Sequence, residues 1–251
     1  MKRNLLYILI FSTFCNIFFI KKVDSNIGAS NDLSYLEKRL VKDFLSDKKP
    51  RLNIDNSNIN KIIQTLKRFD KKNSPQKVVV DGKIKYRYRK LPNEPLKTIE
   101  ELERLIKNPQ QTRKYEVFIK KSLLFLLSNE IKISLKDLEE REPSGQWIHK
   151  DKTVIINKNI LKEGTINFAH LLSHEIIHIA QSCKGGGFDS YPVLLGLELD
   201  KPKSYYYKFL ENDIYRDLKE KDIMLEVEAY ANQKKISQTI NAFKYYCLQD
   251  K

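Results

Sequence analysis

The stretch TINFAHLLSHEIIHIAQSC, residues 165–183, constrains this chain more than any other. Its spacing predicts one helix, with an apolar stripe through Leu172, Ile176, Ile179 and Cys183. Glu175 is the one charged residue between 166 and 183. A lone carboxylate on a helix apolar enough to lie in a core is costly unless it has a task. A fold for this chain must therefore bury most of that helix and still give Glu175 a use.

His174 and His178 stand one turn apart on a second stripe, with Gln181. Both can turn a ring nitrogen to one metal ion, about 2 Å from each. Glu175 is about 100° further round the helix, which suits it poorly as a third ligand but well as a partner for water on the ion. On zinc the pKa of such a water falls toward about 7. Glu175 then takes its proton as the oxygen attacks a carbonyl, and returns it to the leaving amine. The blander alternative is a pair of core histidines beside a surface glutamate; with four histidines in 251 residues, a chance H-E-x-x-H is rare. His170 lies on the same stripe one turn earlier, a place for a supporting or rim residue rather than a ligand.

A hydrolytic site of this kind needs a third protein ligand. The segment DIMLEVEAYANQKK, 222–235, offers Glu226 and Glu228. They are about 200° apart on a helix, so one ion does not face both. They flank the apolar stripe of Leu225, Ala229, Ile236 and Ile240 on opposite sides, and periodicity does not choose between them. Ala229 allows this helix to approach the histidine helix closely. Tyr191 and Tyr230 are candidates to stabilise an oxyanion, although with 13 tyrosines in the chain packing is the default reading of each. Trp147 reads as core, and His149 as an exposed strand residue.

The rest of the chain gives these helices a setting. MKRNLLYILIFSTFCNIFFIKKVDS has a basic start, an apolar run from Leu5 to Ile20 and a basic close. That is the order of a secretory signal, so residues 1–25 are expected to direct export and to be removed or kept as an anchor. Helical spacing recurs over 32–46 and 57–69. KVVVDGKIKYRYRKL, 77–91, is a hairpin about Asp81-Gly82. Thr98-Ile-Glu-Glu101 is a capping box opening a helix to about Ile106. A buried helix follows over 112–128, then a strand at 131–135 and strands near Trp147–His149 and Thr153–Ile156. Gly185-Gly186-Gly187 closes the histidine helix, and the last helices run from about 221 to 247. The order of helix, strands, helix and later helix reads as α+β. The division expected is 1–25 signal or anchor, 26–91 a helical region with a hairpin, and 92–251 the domain that carries the histidines.

A net charge of +14 raises the question of anionic partners. The charges are spread along the chain without a localised block, so no nucleic acid is expected, and membrane contact is expected only through an uncleaved N-terminal segment. Cys183 and Cys247 are the cysteines outside the N-terminal run; in an exported chain they either form a disulfide or stay as two small apolar residues.

HEIIHIAQ followed by EVEAYANQ resembles the gluzincin branch of the zinc metallopeptidases, over roughly residues 112–240. The resemblance implies a zincin-like fold: a small mixed or antiparallel sheet on a backing helix and the active-site helix, with a glutamate ligand on a C-terminal helix. It implies His174, His178 and Glu226 as ligands of one Zn2+, with Glu228 as the alternative third ligand, Glu175 as general base, and a peptide or protein substrate. Ala229 matches the small residue three places after the ligand. Tyr230 stands where the family often has an acid, which leaves open what supports a ligand histidine. The chain is also similar to small exported bacterial H-E-x-x-H proteins of unassigned function. The reading is therefore an exported zinc metallopeptidase, periplasmic or secreted. The alternative is a non-enzymatic exported binding protein on a zincin scaffold, its zinc structural or absent, to which Tyr230 and the basic surface point.

Overall fold

A computed structural model describes residues 17–19, 51–90, 94–138, 142–211, 215–216 and 218–248. Most of the expected signal segment and the expected helix over 32–46 lie outside the described residues. In chain order the elements are β1 (Ile17–Phe19), β2 (Arg51–Asn53), α1 (Ile59–Asn73), β3 (Gln76–Val80), β4 (Lys83–Lys90), α2 (Ile99–Lys107) and α3 (Arg113–Ser128). They continue with β5 (Lys132–Lys136), β6 (Gly145–Ile148), β7 (Thr153–Asn157), α4 (Thr165–Lys184), α5 (Lys203–Tyr207), α6 (Glu220–Asn232) and α7 (Ile236–Cys247). Single 3-10 segments occupy His149–Asp151 and Lys158–Glu163. The class is α+β. Among the described residues no helix is long and apolar enough to cross a membrane.

Contacts divide these residues into two units, and the cuts fall at 72/73 and 110/111, on either side of the expected line near 91. The smaller unit holds 73–110 with β1. Asp81 and Gly82 both take left-handed backbone, φ 52° and 68°, the turn that matches the twist of paired strands. β3 and β4 pair in antiparallel register across it, Val79 opposite Ile84, and β1 adds on the other side of β4. In α2 the Thr98 hydroxyl accepts the Glu101 amide while the Glu101 side chain accepts the Thr98 amide, the reciprocal cap that the sequence predicts. The Tyr86 hydroxyl donates to Glu103 of α2, and the Tyr88 hydroxyl accepts the Lys97 amide.

The larger unit is built on a four-stranded sheet in the order β2-β5-β7-β6. β5 and β7 are parallel; β2 and β6 run antiparallel to their neighbours and form the two edges. Val154, Ile155 and Ile156 of β7 and Ile133 and Leu135 of β5 are buried, as expected for inner strands. One core joins Ile133, Leu135, Val154 and Ile156 to Ile62 and Leu66 of α1, Ile119, Leu123 and Leu126 of α3, and Phe168, Leu172, Ile176 and Ile179 of α4.

The entry to α4 explains its position. Gly164, at φ 88°, ends the preceding 3-10 turn and provides no side-chain cap. Asp70 of α1 acts instead: its Oδ1 accepts the Thr165 amide at 2.8 Å and its other oxygen takes the Thr165 hydroxyl. An alanine Cβ at Gly164 would fall 2.3 Å from Asp70 Oδ1, so this position needs glycine for conformation and for space. At the far end a Cys183–Cys247 disulfide, Cα–Cα 5.1 Å, joins α4 to α7. Ala180, Ala229 and Ala242 cluster with Ile177 and Leu195, and these small residues bring α6 and α7 close to α4.

Candidate metal centre

The fold brings three expected residues to one point. His174, His178 and Glu226 each offer a ligand atom, and these atoms all lie within 4.8 Å of one another. The two histidine Nε2 atoms are 3.0 Å apart. Glu226 Oε2 is 3.2 Å from His174 Nε2, and Glu226 Oε1 is 3.5 Å from His178 Nε2. Together these residues could hold a metal ion.

Electrostatics follow from this packing. Burial alone would depress the His178 imidazole, but the Glu226 carboxylate outweighs it by charge and contact, with Glu175 and Gln181 adding, and lifts it to about 9. Glu226 is the converse: burial opposes its charge, and His178 and His174 hold it far below the usual carboxylate range.

The second glutamate on α6 has a different place. Glu228 is 3% exposed and turned away from the cluster. Its Oε2 accepts the Leu195 amide at 2.8 Å, and its Oε1 accepts the Gly196 and Leu197 amides at 2.7 and 2.9 Å. Gln181 Nε2 donates to Glu228 Oε2 at 2.8 Å and to the Leu225 carbonyl at 3.2 Å. Two acceptors therefore fix the orientation of the Gln181 amide, leaving its oxygen toward His178 Nδ1 at 2.8 Å. That oxygen can only accept, so Nδ1 of His178 carries a proton and donates.

Glu175 lies under β6, 1% exposed. It takes a backbone hydrogen bond from Trp147, yet burial pushes its carboxyl above the usual range despite the nearby histidines. A Cβ built on Gly145 of β6 would be 2.5 Å from Glu175 Oε1 and 2.9 Å from Leu171 Cδ1; only a glycine lets the strand approach this closely. Glu175 Oε2 and His174 Nδ1 are buried with no hydrogen-bond partner among the described residues.

The remaining candidates are distributed around this core. Tyr230 meets the His174 ring edge-on, centroids 4.7 Å apart, and its hydroxyl is 2.9 Å from that of Tyr215. Phe209 stacks on Tyr230. Burial and the Glu226 and Glu175 charges push Tyr230 up to about 12, and burial, with Tyr230 and Glu226, raises Tyr215 further. His170 packs edge-on against Tyr115 of α3 and is not in the cluster. Tyr191 is also elsewhere: its hydroxyl donates to Asp222, its ring meets His149, and Lys221 sits over it. Trp147 is core, its indole donating to Ser182 at 2.9 Å.

Local sequence patterns assign no role to Gln181, Gly145 or Tyr215. Gln181 was visible on the histidine stripe, and Gly145 as a lone glycine opening a strand. Tyr215 carries no local signal, because a connection between helices brings it to the site. No protein-family model, curated protein or solved structure matches this chain.

Proposed function

We propose that this protein is an exported zinc metallopeptidase with a zincin-like fold. The observation that carries the proposal is the triangle of His174 Nε2, His178 Nε2 and the Glu226 carboxylate, with sides of 3.0, 3.2 and 3.5 Å. Neighbouring ligands of a tetrahedral zinc, with bonds of roughly 2.0–2.1 Å, stand about 3.3 Å apart. Two imidazoles and a carboxylate are also the donor set of hydrolytic zinc sites, which keep one position open. Glu175 Oε2, buried without a partner beside this triangle, is a base suited to meet a water there. The disulfide agrees with an oxidising compartment.

A bound zinc supplies Lewis-acid chemistry, polarising a carbonyl and making water more acidic. The chain supplies the rest. Gln181 holds the proton on His178 Nδ1, so its Nε2 presents a lone pair once neutral. Glu175, raised by burial, removes a proton from the attacking water and delivers it to the leaving amine nitrogen. The Trp147 amide and the bare Gly145 backbone fix the direction of that carboxylate. The Tyr230 ring meets His174 and its hydroxyl pairs with that of Tyr215, which leaves one hydroxyl proton of the pair to stabilise developing negative charge.

The test is to load the purified protein with zinc and offer it unfolded casein and cell-wall peptides. Hydrolysis by wild type that Glu175→Gln abolishes, with zinc retained, supports the proposal. A zinc-loaded wild type that cleaves neither would favour a binding protein on the same scaffold.

A further inference from the structure

We propose that Gln181 and Glu228 are positioning residues that couple the backbone of 195–197 to the metal-facing nitrogen of His178. The inference rests on the metal reading of the His174–His178–Glu226 cluster and goes beyond it, because neither residue touches the cluster's centre.

The Glu228 carboxylate has four donors: the amides of Leu195, Gly196 and Leu197 and the side chain of Gln181. Three successive amides converge on it because Gly196 is at φ 84°, backbone that glycine adopts without strain. A Cβ there would meet nothing within 4 Å, so the requirement is conformational rather than spatial. The segment is pinned by other residues too. Leu195 is buried against Ile177, Ala180, Ala229 and Ala242. Tyr246 donates to the Leu195 carbonyl, and Lys184 donates to the Leu194 and Leu195 carbonyls.

Gln181 is the joint. One end of its amide is fixed by Glu228 and the Leu225 carbonyl, and the other accepts from His178 Nδ1. The ring orientation of His178 is therefore set by a carboxylate that is itself set by a loop. This connection takes the place of the acid that the family resemblance led one to expect at Tyr230. Supporting partners of this kind affect metal affinity by roughly 10–100-fold, through ligand orientation and tautomer.

Zinc affinity measured by chelator competition, in the full chain, tests the coupling. Gln181→Met keeps the volume and removes all three side-chain hydrogen bonds; it should weaken zinc binding by about 10–100-fold. Gln181→Glu should also weaken it, by setting two carboxylates against each other, and so should Glu228→Gln. Zinc affinity unchanged in Gln181→Met would overturn the proposal. A second arm reads hydrogen exchange of the 195–197 amides in metal-free protein. Gln181→Met should speed it about tenfold or more; unaltered protection would also overturn the coupling. A wild type that takes up no zinc would instead remove the metallopeptidase reading, and the exchange arm would then decide the coupling alone.

Discussion

Glu226 and Glu228, two residues apart on one helix, have opposite assignments: Glu226 faces His174 and His178, and Glu228 accepts three amides of the 195–197 segment. Separate variants should divide them. Glu226→Ala is expected to lose zinc and, without metal, to lose only the stability that its pair with His178 contributes, which fades as pH rises through about 9. Glu228→Ala leaves buried amides without an acceptor and should cost about 3 kcal/mol or more. Paired zinc titrations and chemical denaturation of the two variants provide the check; equal loss of stability in both would contradict the division.

Gly145→Ala addresses the role proposed for Glu175. The new Cβ would lie 2.5 Å from Glu175 Oε1, so the carboxylate must move while the ligands need not. Displacement of a reacting group by about 1 Å can reduce turnover by roughly 100-fold. The expected result is a low kcat with unchanged zinc content, read from steady-state kinetics and metal analysis of the same preparation.

The metal-free protein should show a pH signature from the same cluster. His178 is raised to about 9, so its contribution to stability is complete below its ordinary value near 6.5 and is lost as pH rises through about 9. Glu226 is depressed, so its contribution is present above its ordinary value near 4.3 and is lost as pH falls below that. The stability advantage of wild type over Glu226→Gln, both in chelator, should therefore be greatest between about pH 5 and 6.5 and shrink toward pH 10. A flat difference across that range would show that the pair is not coupled.

The disulfide closes a loop of 64 residues between α4 and α7. In the chain-entropy account such a link contributes about 4 kcal/mol. Cys183→Ser with Cys247→Ser should unfold at clearly lower denaturant, and wild type should shift the same way in reductant. Coincident unfolding curves would argue against the link.

Much of this was legible in the sequence because it depends on local chemistry. The hairpin at Asp81-Gly82, the capping box at Thr98 and Glu101, and the helix bearing His174 and His178 each follow from spacing within one segment. β2 was not foreseen: three residues are too few for a period to show, and Arg51–Asn53 is a strand only because β5 pairs with it. Glu226 against Glu228 could not be resolved by periodicity, since both flank one stripe; the choice depends on amides some 30 residues earlier in the chain. Asp70 capping α4 from α1, 95 residues away, is likewise tertiary. Tyr191 shows the reverse, a plausible site residue whose hydroxyl is held by Asp222 instead.

If His174, His178 and Glu226 together hold one zinc, X-ray absorption at the zinc edge on purified protein, alongside metal analysis, reads that ligand set. The expected result is one zinc per chain with two imidazoles and oxygen donors at roughly 2.0–2.1 Å, and loss of that signal in His174→Ala, His178→Ala and Glu226→Ala. A protein that binds no zinc stoichiometrically, or one whose zinc survives all three substitutions, would contradict it.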